Sequence, residues 1–229
     1  MKLFHLPHPL APGAMLPVPE SLQHRLRHVM RMGPGDVFHA FDGTGLAGIA
    51  EIADSKCRTV TITAMLPEKP ALPTRILALG VPKRDAWESA LRQATEMGAT
   101  TIIPLKTRFS QVGKLNTERA HLHLTEAAEQ SERYTLPKLL PLMELEDYLT
   151  SLTSPCMWAF ERLLHPQEGI SPGSAKPTAT LVGPEGGFAP EEIAQLTDHA
   201  LIRPFTLGPT ILRTDTAVVA ALTHLAFQQ

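Results

Sequence analysis

Leu181-Val182-Gly183-Pro184-Glu185-Gly186-Gly187-Phe188 decides how this chain is read. It leaves an apolar run, Thr178 to Val182, with the length and composition of a buried strand. It precedes Pro190 to His199, which reads as a helix. Pro190 in the first turn, with Glu191 and Glu192 beside it, suits the positive end of a helix dipole. Further on, Leu207-Gly208-Pro209-Thr210-Ile211-Leu212-Arg213-Thr214-Asp215-Thr216-Ala217 takes the same place between a strand, Leu201 to Leu207, and a helix, Thr214 to Phe227. In parallel sheets ligands bind beyond the carboxyl ends of strands. Glycines there let a ligand approach bare backbone, and two such loops together can clamp a flat ring by main-chain hydrogen bonds. Neither segment is GxGxxG or GxxxxGK[ST], so dinucleotide and P-loop readings lose support. Ordinary strand-to-helix turns would explain one loop alone. Two of them, with Glu185 and Arg213 embedded, point to a site.

Working outward, strands and helices alternate. Arg75 to Leu79, Thr101 to Pro104 and Cys156 to Phe160 read as strands, and Asp85 to Met97 and Glu118 to Ser131 as helices, the first stopped by Gly98 at C′. That alternation predicts α/β with a mostly parallel sheet. Residues 163–178 are poor in apolar side chains and read as an exposed loop. The N-terminal part differs. A helix over Glu20 to Met32 is followed by β-prone runs at Val37 to Phe41, Leu46 to Ile52 and Thr59 to Leu66, with Asp42-Gly43 as a hairpin signal. Short strands and tight turns predict a small barrel. Three prolines in residues 67–73 mark a linker, placing one domain at 1–70 and another at 74–229.

Composition narrows the function classes. The chain has 229 residues, 43% of them hydrophobic, and a net charge of −2. A broad nucleic-acid footprint needs an excess of cations, so RNA contact is expected from local patches such as His24 to Arg31, which holds three arginines and two histidines. Cys57 and Cys156 form no CxxC pair, which suits a reducing cytoplasm. No membrane span is expected. His24 and His28 have helical spacing but no third ligand, so no metal is expected.

GPEGGF followed by LGPTILRTDTA resembles the 16S rRNA uridine-N3-methyltransferase family, the RsmE family. Other stretches are similar too: His28 to Arg31 with Gly35-Asp36 and Phe41 to Gly45, Lys83 with Gln93 to Ala99 and Ile103-Pro104, and Ala127 to Arg133. The resemblance implies a SPOUT α/β knot, a deep trefoil knot with a mostly parallel sheet, behind an N-terminal PUA-like β-barrel. It also implies a homodimer that uses S-adenosylmethionine to methylate N3 of a uridine in the decoding region of 16S rRNA, within the small ribosomal subunit. The chain departs from the family where Thr107-Arg108-Phe109-Ser110 replaces a Ser/Thr-Glu-Arg-Ser run. Asp215 replaces a common Glu. Ala189 replaces a common Ser cap, an exchange expected to weaken that helix start by about 1 kcal/mol.

On this reading Gly183, Pro184, Glu185, Gly186, Gly187, Leu207, Gly208, Ile211, Leu212 and Arg213 bind the methyl donor. Uridine N3 must lose its proton before or during attack. Glu185 and Asp215 are candidate acceptors, and Arg213 a candidate stabiliser of the deprotonated uracil. Glu185 serves equally well as a carboxylate satisfied by backbone N–H groups, and Asp215 as a first-turn acid. Arg25, Arg27, Arg31, Lys83 and Arg133 are candidate RNA contacts, although Arg133, four residues after Glu129, also suits a surface ion pair on one helix. Two other functions stay open: transfer to a ribose 2′-oxygen or to another rRNA or tRNA position, and a non-catalytic ribosome-assembly factor that binds RNA.

Overall fold

The computed structural model describes residues 1–111, 115–160 and 175–228. Most of the expected loop at 163–178 lies outside these residues; within its described end, Pro177 is buried. The chain forms two compact units. One comprises Met1–Ala71 with Thr125–Leu136, the other Leu72–Leu124 with Pro137–Gln229.

In the first unit β1 (Leu3–His5), β2 (Met15–Pro17), β3 (Val37–Phe41), β4 (Ala47–Ile52) and β5 (Thr59–Met65) make one sheet in the order β1-β3-β4-β5-β2. β1 is parallel to β3 and the other pairs are antiparallel. Alternation turns Phe38, Ala40, Ala50, Ile52, Val60 and Ile62 onto one core with Leu22 and Leu26. The ladder does not close, so the expected barrel is an open sheet here. Its end strands have three residues each and offer few bonds for closure. Asp42 does make a hairpin corner, with its carboxylate accepting from the N–H groups of Thr44, Gly45 and Leu46.

The helix expected over Glu20 to Met32 is shorter and changes form. It is regular over α1 (Glu20–His24), then widens into a π-helical turn over Arg25–Val29. Met30 N–H donates to the Arg25 carbonyl five residues back, and Arg31 turns left-handed at φ 56°.

The second unit contains β6 (Ile76–Gly80), β7 (Thr101–Lys106), β8 (Lys138–Leu139), β9 (Met143–Glu144), β10 (Cys156–Ala159), β11 (Ala179–Val182) and β12 (Ile202–Phe205). Its order is β12-β10-β11-β6-β7-β8, with β9 also on β7, and every pair is parallel. Burial on both faces explains why the strands read as unbroken apolar runs. Leu77 and Leu79 face one way, onto Trp87, Ala90 and Leu91 of α2 (Arg84–Glu96) and Val218, Leu222 and Leu225 of α6 (Thr214–Gln228). Ala78 and Leu181 face the other way, onto Leu145 and Leu149 of α4 (Leu145–Ser151) and Leu196 of α5 (Pro190–Asp198). Each fully buried leucine contributes about 1.5–3 kcal/mol.

Helix ends follow their chemistry. α2 stops in a Schellman turn: Ala99 N–H donates to the Ala94 carbonyl, Gly98 N–H to that of Thr95, and Gly98 has φ 82°. α3 (Thr117–Gln130) stops the same way, with Arg133 N–H on the Ala128 carbonyl and Glu132 at φ 56°. The helix therefore ends before Arg133, which corrects the expectation that Glu129 and Arg133 lie one turn apart on one helix. In the second unit α2 meets the start of α3 through Glu88, which binds Arg119 and, at 3.1 Å, Arg84. Hydrogen bonds from Arg119 and then Arg84 hold the Glu88 carboxyl down at about 2.

Candidate active site

β10, β11 and β12 are adjacent and parallel, so the segments that leave their carboxyl ends converge. After β11 comes the loop Gly183–Phe188, and after β12 the loop Leu207–Leu212. The two share one cleft of about 300 Å3, floored by Trp158, Ala159 and Phe160 at the end of β10. Gly183, Pro184, Glu185, Gly186, Gly187, Leu207, Gly208, Ile211 and Leu212 all line it. Arg213 is not among the lining residues; it is exposed, and its carbonyl accepts the Ala217 N–H at the start of α6.

The first loop is fixed from several sides. Gly187 N–H donates to the Pro184 carbonyl at 2.9 Å, and Gly187 has φ 66°. Its neighbours leave no space for side chains. A Cβ on Gly183 would lie 2.9 Å from the Phe188 ring, and one on Gly186 would lie 2.9 Å from Cβ of Phe109. Gly80, at the end of β6, is tighter: its Cβ would meet Pro184 Cδ at 2.5 Å and Pro184 N at 3.0 Å. Glu185 closes the far side, both carboxylate oxygens accepting from the Lys83 N–H at 3.1 and 3.2 Å, just before α2. The second loop is pinned by Thr206, whose Oγ accepts from Gly208 N–H and donates to the Gly208 carbonyl.

Glu192 holds the other side of the first loop. One oxygen accepts from Ala189 N–H and the other from Arg108 N–H, each at 2.8 Å. This supplies the reciprocal half of a capping box, which offsets part of what the missing serine at Ala189 removes.

Several cleft residues give no local signal in the sequence. Trp158 and Phe160 contact at 4.6 Å between ring centroids, and Trp158 meets Phe188 edge-on at 5.9 Å. In sequence both belong to a buried strand and read as core. Gly80, behind the cleft lining, is a lone glycine after a strand with no motif around it. Only the register of β6 against β11, Leu79 opposite Val182, sets it beneath Pro184.

The cleft suits a flat, cationic ligand. Among the described residues that line it, Glu185 alone is ionisable; the rest offer rings, methyl groups, hydroxyls and backbone. S-adenosylmethionine, a flat heteroaromatic joined to a sulfonium, fits that set, and the packed glycines keep the loop backbone within reach of it.

The candidate RNA-binding side chains fall in different settings. In the first unit Arg25 pairs with Glu129 at 2.9 Å and lies 4.9 Å over the Phe4 ring. Burial pushes the Glu129 carboxyl up, opposed by the His5 N–H and by Arg25. Arg27 and Arg31 are exposed. Arg133 is only 8% exposed, and burial brings its guanidinium down to about 10. That corrects its place among surface cations. In the second unit Lys83 is exposed. Among the described residues no cluster of His, Cys, Asp or Glu is placed to hold a metal, and no helix is long and apolar enough to cross a membrane.

Residues 69–226 match the family described as RNA methyltransferase domain. A Rickettsia conorii protein named ribosomal RNA small subunit methyltransferase E is 32% identical over 88% of this chain and 85% of its own. The crystal structure of the Neisseria gonorrhoeae ribosomal RNA small subunit methyltransferase E, bound to S-adenosyl methionine, superposes with a TM-score of 0.83. It is 26% identical and covers 99% of this chain and 97% of that one. A Legionella pneumophila structure, also with S-adenosylmethionine as bound cofactor, gives 0.82 at 26% identity over 98% and 96%. With the α/β architecture and the two glycine loops meeting in one cleft, these matches show that the chain belongs to the ribosomal RNA small subunit methyltransferase E family.

Proposed function

We propose that this protein transfers a methyl group from S-adenosylmethionine to N3 of a uridine in the decoding region of 16S rRNA, in the small ribosomal subunit. The observation that carries the reading is the single cleft shared by Gly183–Phe188 and Leu207–Leu212. The names of the relatives support the small-subunit rRNA class; N3 comes from the family resemblance of the two loop motifs. When bound, S-adenosylmethionine supplies a methyl carbon activated by a sulfonium.

The chain's own residues do the rest. The two loops hold the donor by backbone groups, and the aromatic floor excludes water from the reacting centre. Glu185 takes the N3 proton. Lys83 N–H fixes its carboxylate, and a carboxylate has lone pairs to spare beyond that one bond. Arg213, exposed just after the second loop, faces the negative charge that builds on the uracil oxygens. Arg25, Arg27, Arg31 and Lys83 contact RNA phosphates, and the residues at 1–70 act as a PUA-like RNA-binding module. Residues 74–229 act as a SPOUT methyltransferase domain with a C-terminal trefoil knot, and the protein works as a cytoplasmic homodimer.

Incubating the protein with S-adenosylmethionine and purified small subunits or naked rRNA, then digesting the RNA for mass spectrometry, tests this. The expected product is 3-methyluridine. A ribose 2′-O-methyl nucleoside would replace the proposal by the ribose reading, and no modified nucleoside at all would leave an RNA-binding factor.

A further inference from the structure

We propose that the turn at the end of β7 is an RNA contact of this chain, with Phe109 stacking on an unpaired base beside the target uridine and Arg108 meeting a neighbouring phosphate. The inference rests on the RNA-methylation reading above and adds a subsite to it.

Uridine N3 lies on the pairing edge of the base, so the target must be unpaired to be methylated. Unpaired bases beside it in the strand can stack on aromatic side chains. Phe109 is an aromatic ring placed for that. It is 43% exposed, in a chain whose other described rings around the donor cleft, Trp158, Phe160 and Phe188, are buried or half-buried. Phe109 does not hang on a loose loop. Thr107 N–H donates to Ser110 Oγ at 3.0 Å, Ser110 N–H donates to the Thr107 carbonyl at 3.1 Å, and Ser110 Oγ donates to the Leu105 carbonyl at 3.2 Å. Arg108 N–H ties the turn to Glu192 on α5. The root of the Phe109 side chain packs on the donor loop itself, where Gly186 leaves no space for a Cβ.

The turn therefore keeps a fixed distance from the backbone that holds the methyl donor, which is what a positioning contact for the acceptor strand requires. The charge fits too. The Arg108 side chain is exposed and has no partner among the described residues, and the exposed Lys83 lies on the Glu185 side of the same loop. An exposed ring beside the unneutralised Arg108 suits single-stranded nucleic acid, whose bases stack and whose phosphates are anionic.

Phe109→Leu separates stacking from packing. Leucine keeps Cβ and Cγ, the two atoms nearest Gly186, and removes the aromatic face. The measurements are S-adenosylmethionine affinity by calorimetry, and kcat and KM for methylation of small subunits or rRNA. For Phe109→Leu we expect donor affinity within about twofold of wild type and a KM for RNA raised about ten- to a hundredfold. Phe109→Trp should restore KM. Arg108→Gln should raise KM and reduce the salt dependence of RNA binding by about one phosphate contact. An unchanged KM in Phe109→Leu overturns the inference, as does a loss of donor affinity shared by the Leu and Trp variants. Wild-type protein that binds the donor but methylates no RNA overturns the underlying reading first, and this one with it.

Discussion

Glu185→Gln is expected to lower kcat by about a hundredfold or more and to leave S-adenosylmethionine affinity within about threefold. Glutamine is nearly isosteric, and its carbonyl oxygen can still accept the Lys83 N–H that ties the loop to the start of α2. The loop should keep its place while the acceptor of the N3 proton is lost. Single-turnover methylation beside calorimetry separates the two effects. If the variant keeps wild-type turnover, Glu185 is only a tie between loop and helix, and another group takes the proton. Arg213→Ala follows the same logic from the other side of the reaction. Its side chain lies outside the cleft lining and its carbonyl, which caps α6, is untouched. Donor binding should persist while turnover falls.

Gly80→Ala should reduce S-adenosylmethionine affinity and kcat/KM together, by about a hundredfold. The new Cβ would begin 2.5 Å from Pro184 Cδ and 3.0 Å from Pro184 N, where ordinary contact starts at 3.4 Å. A proline ring cannot rotate away, so the donor loop must retreat by nearly an ångström. The overpacking should also cost about 1–3 kcal/mol of stability. The reporter is convenient, because Trp87 and Trp158, the chain's two tryptophans, both belong to the second unit. Indole fluorescence against urea then measures that unit's stability, and calorimetry measures donor binding. A stable, folded variant with wild-type affinity would show that the Gly80–Pro184 contact does not position the site.

What the sequence makes legible here is local chemistry. Gly98 is read as a helix stop because a C′ residue needs a left-handed backbone, and it has one. The two glycine loops are read as a site because each sits between a strand and a helix, and parallel pairing brings them together. What is not legible depends on distant partners. Gly80 matters only through the register of β6 against β11. Arg25 is tied to Glu129, 104 residues away, and Glu192 to Arg108, 84 residues away. Arg133 looks like a surface cation until Glu132 turns left-handed, ends α3 and leaves its guanidinium buried. β1, β2, β8 and β9 have two or three residues each, too few to show a period. α4, seven residues long, is likewise too short to display a helical face.

Amide hydrogen exchange of the full chain with and without S-adenosylmethionine tests the shared cleft most directly. Binding there should slow exchange in peptides covering 183–188 and 207–213 together, and leave the sheet of the first unit unchanged. Donor binding that protects neither loop, or only one, would contradict it.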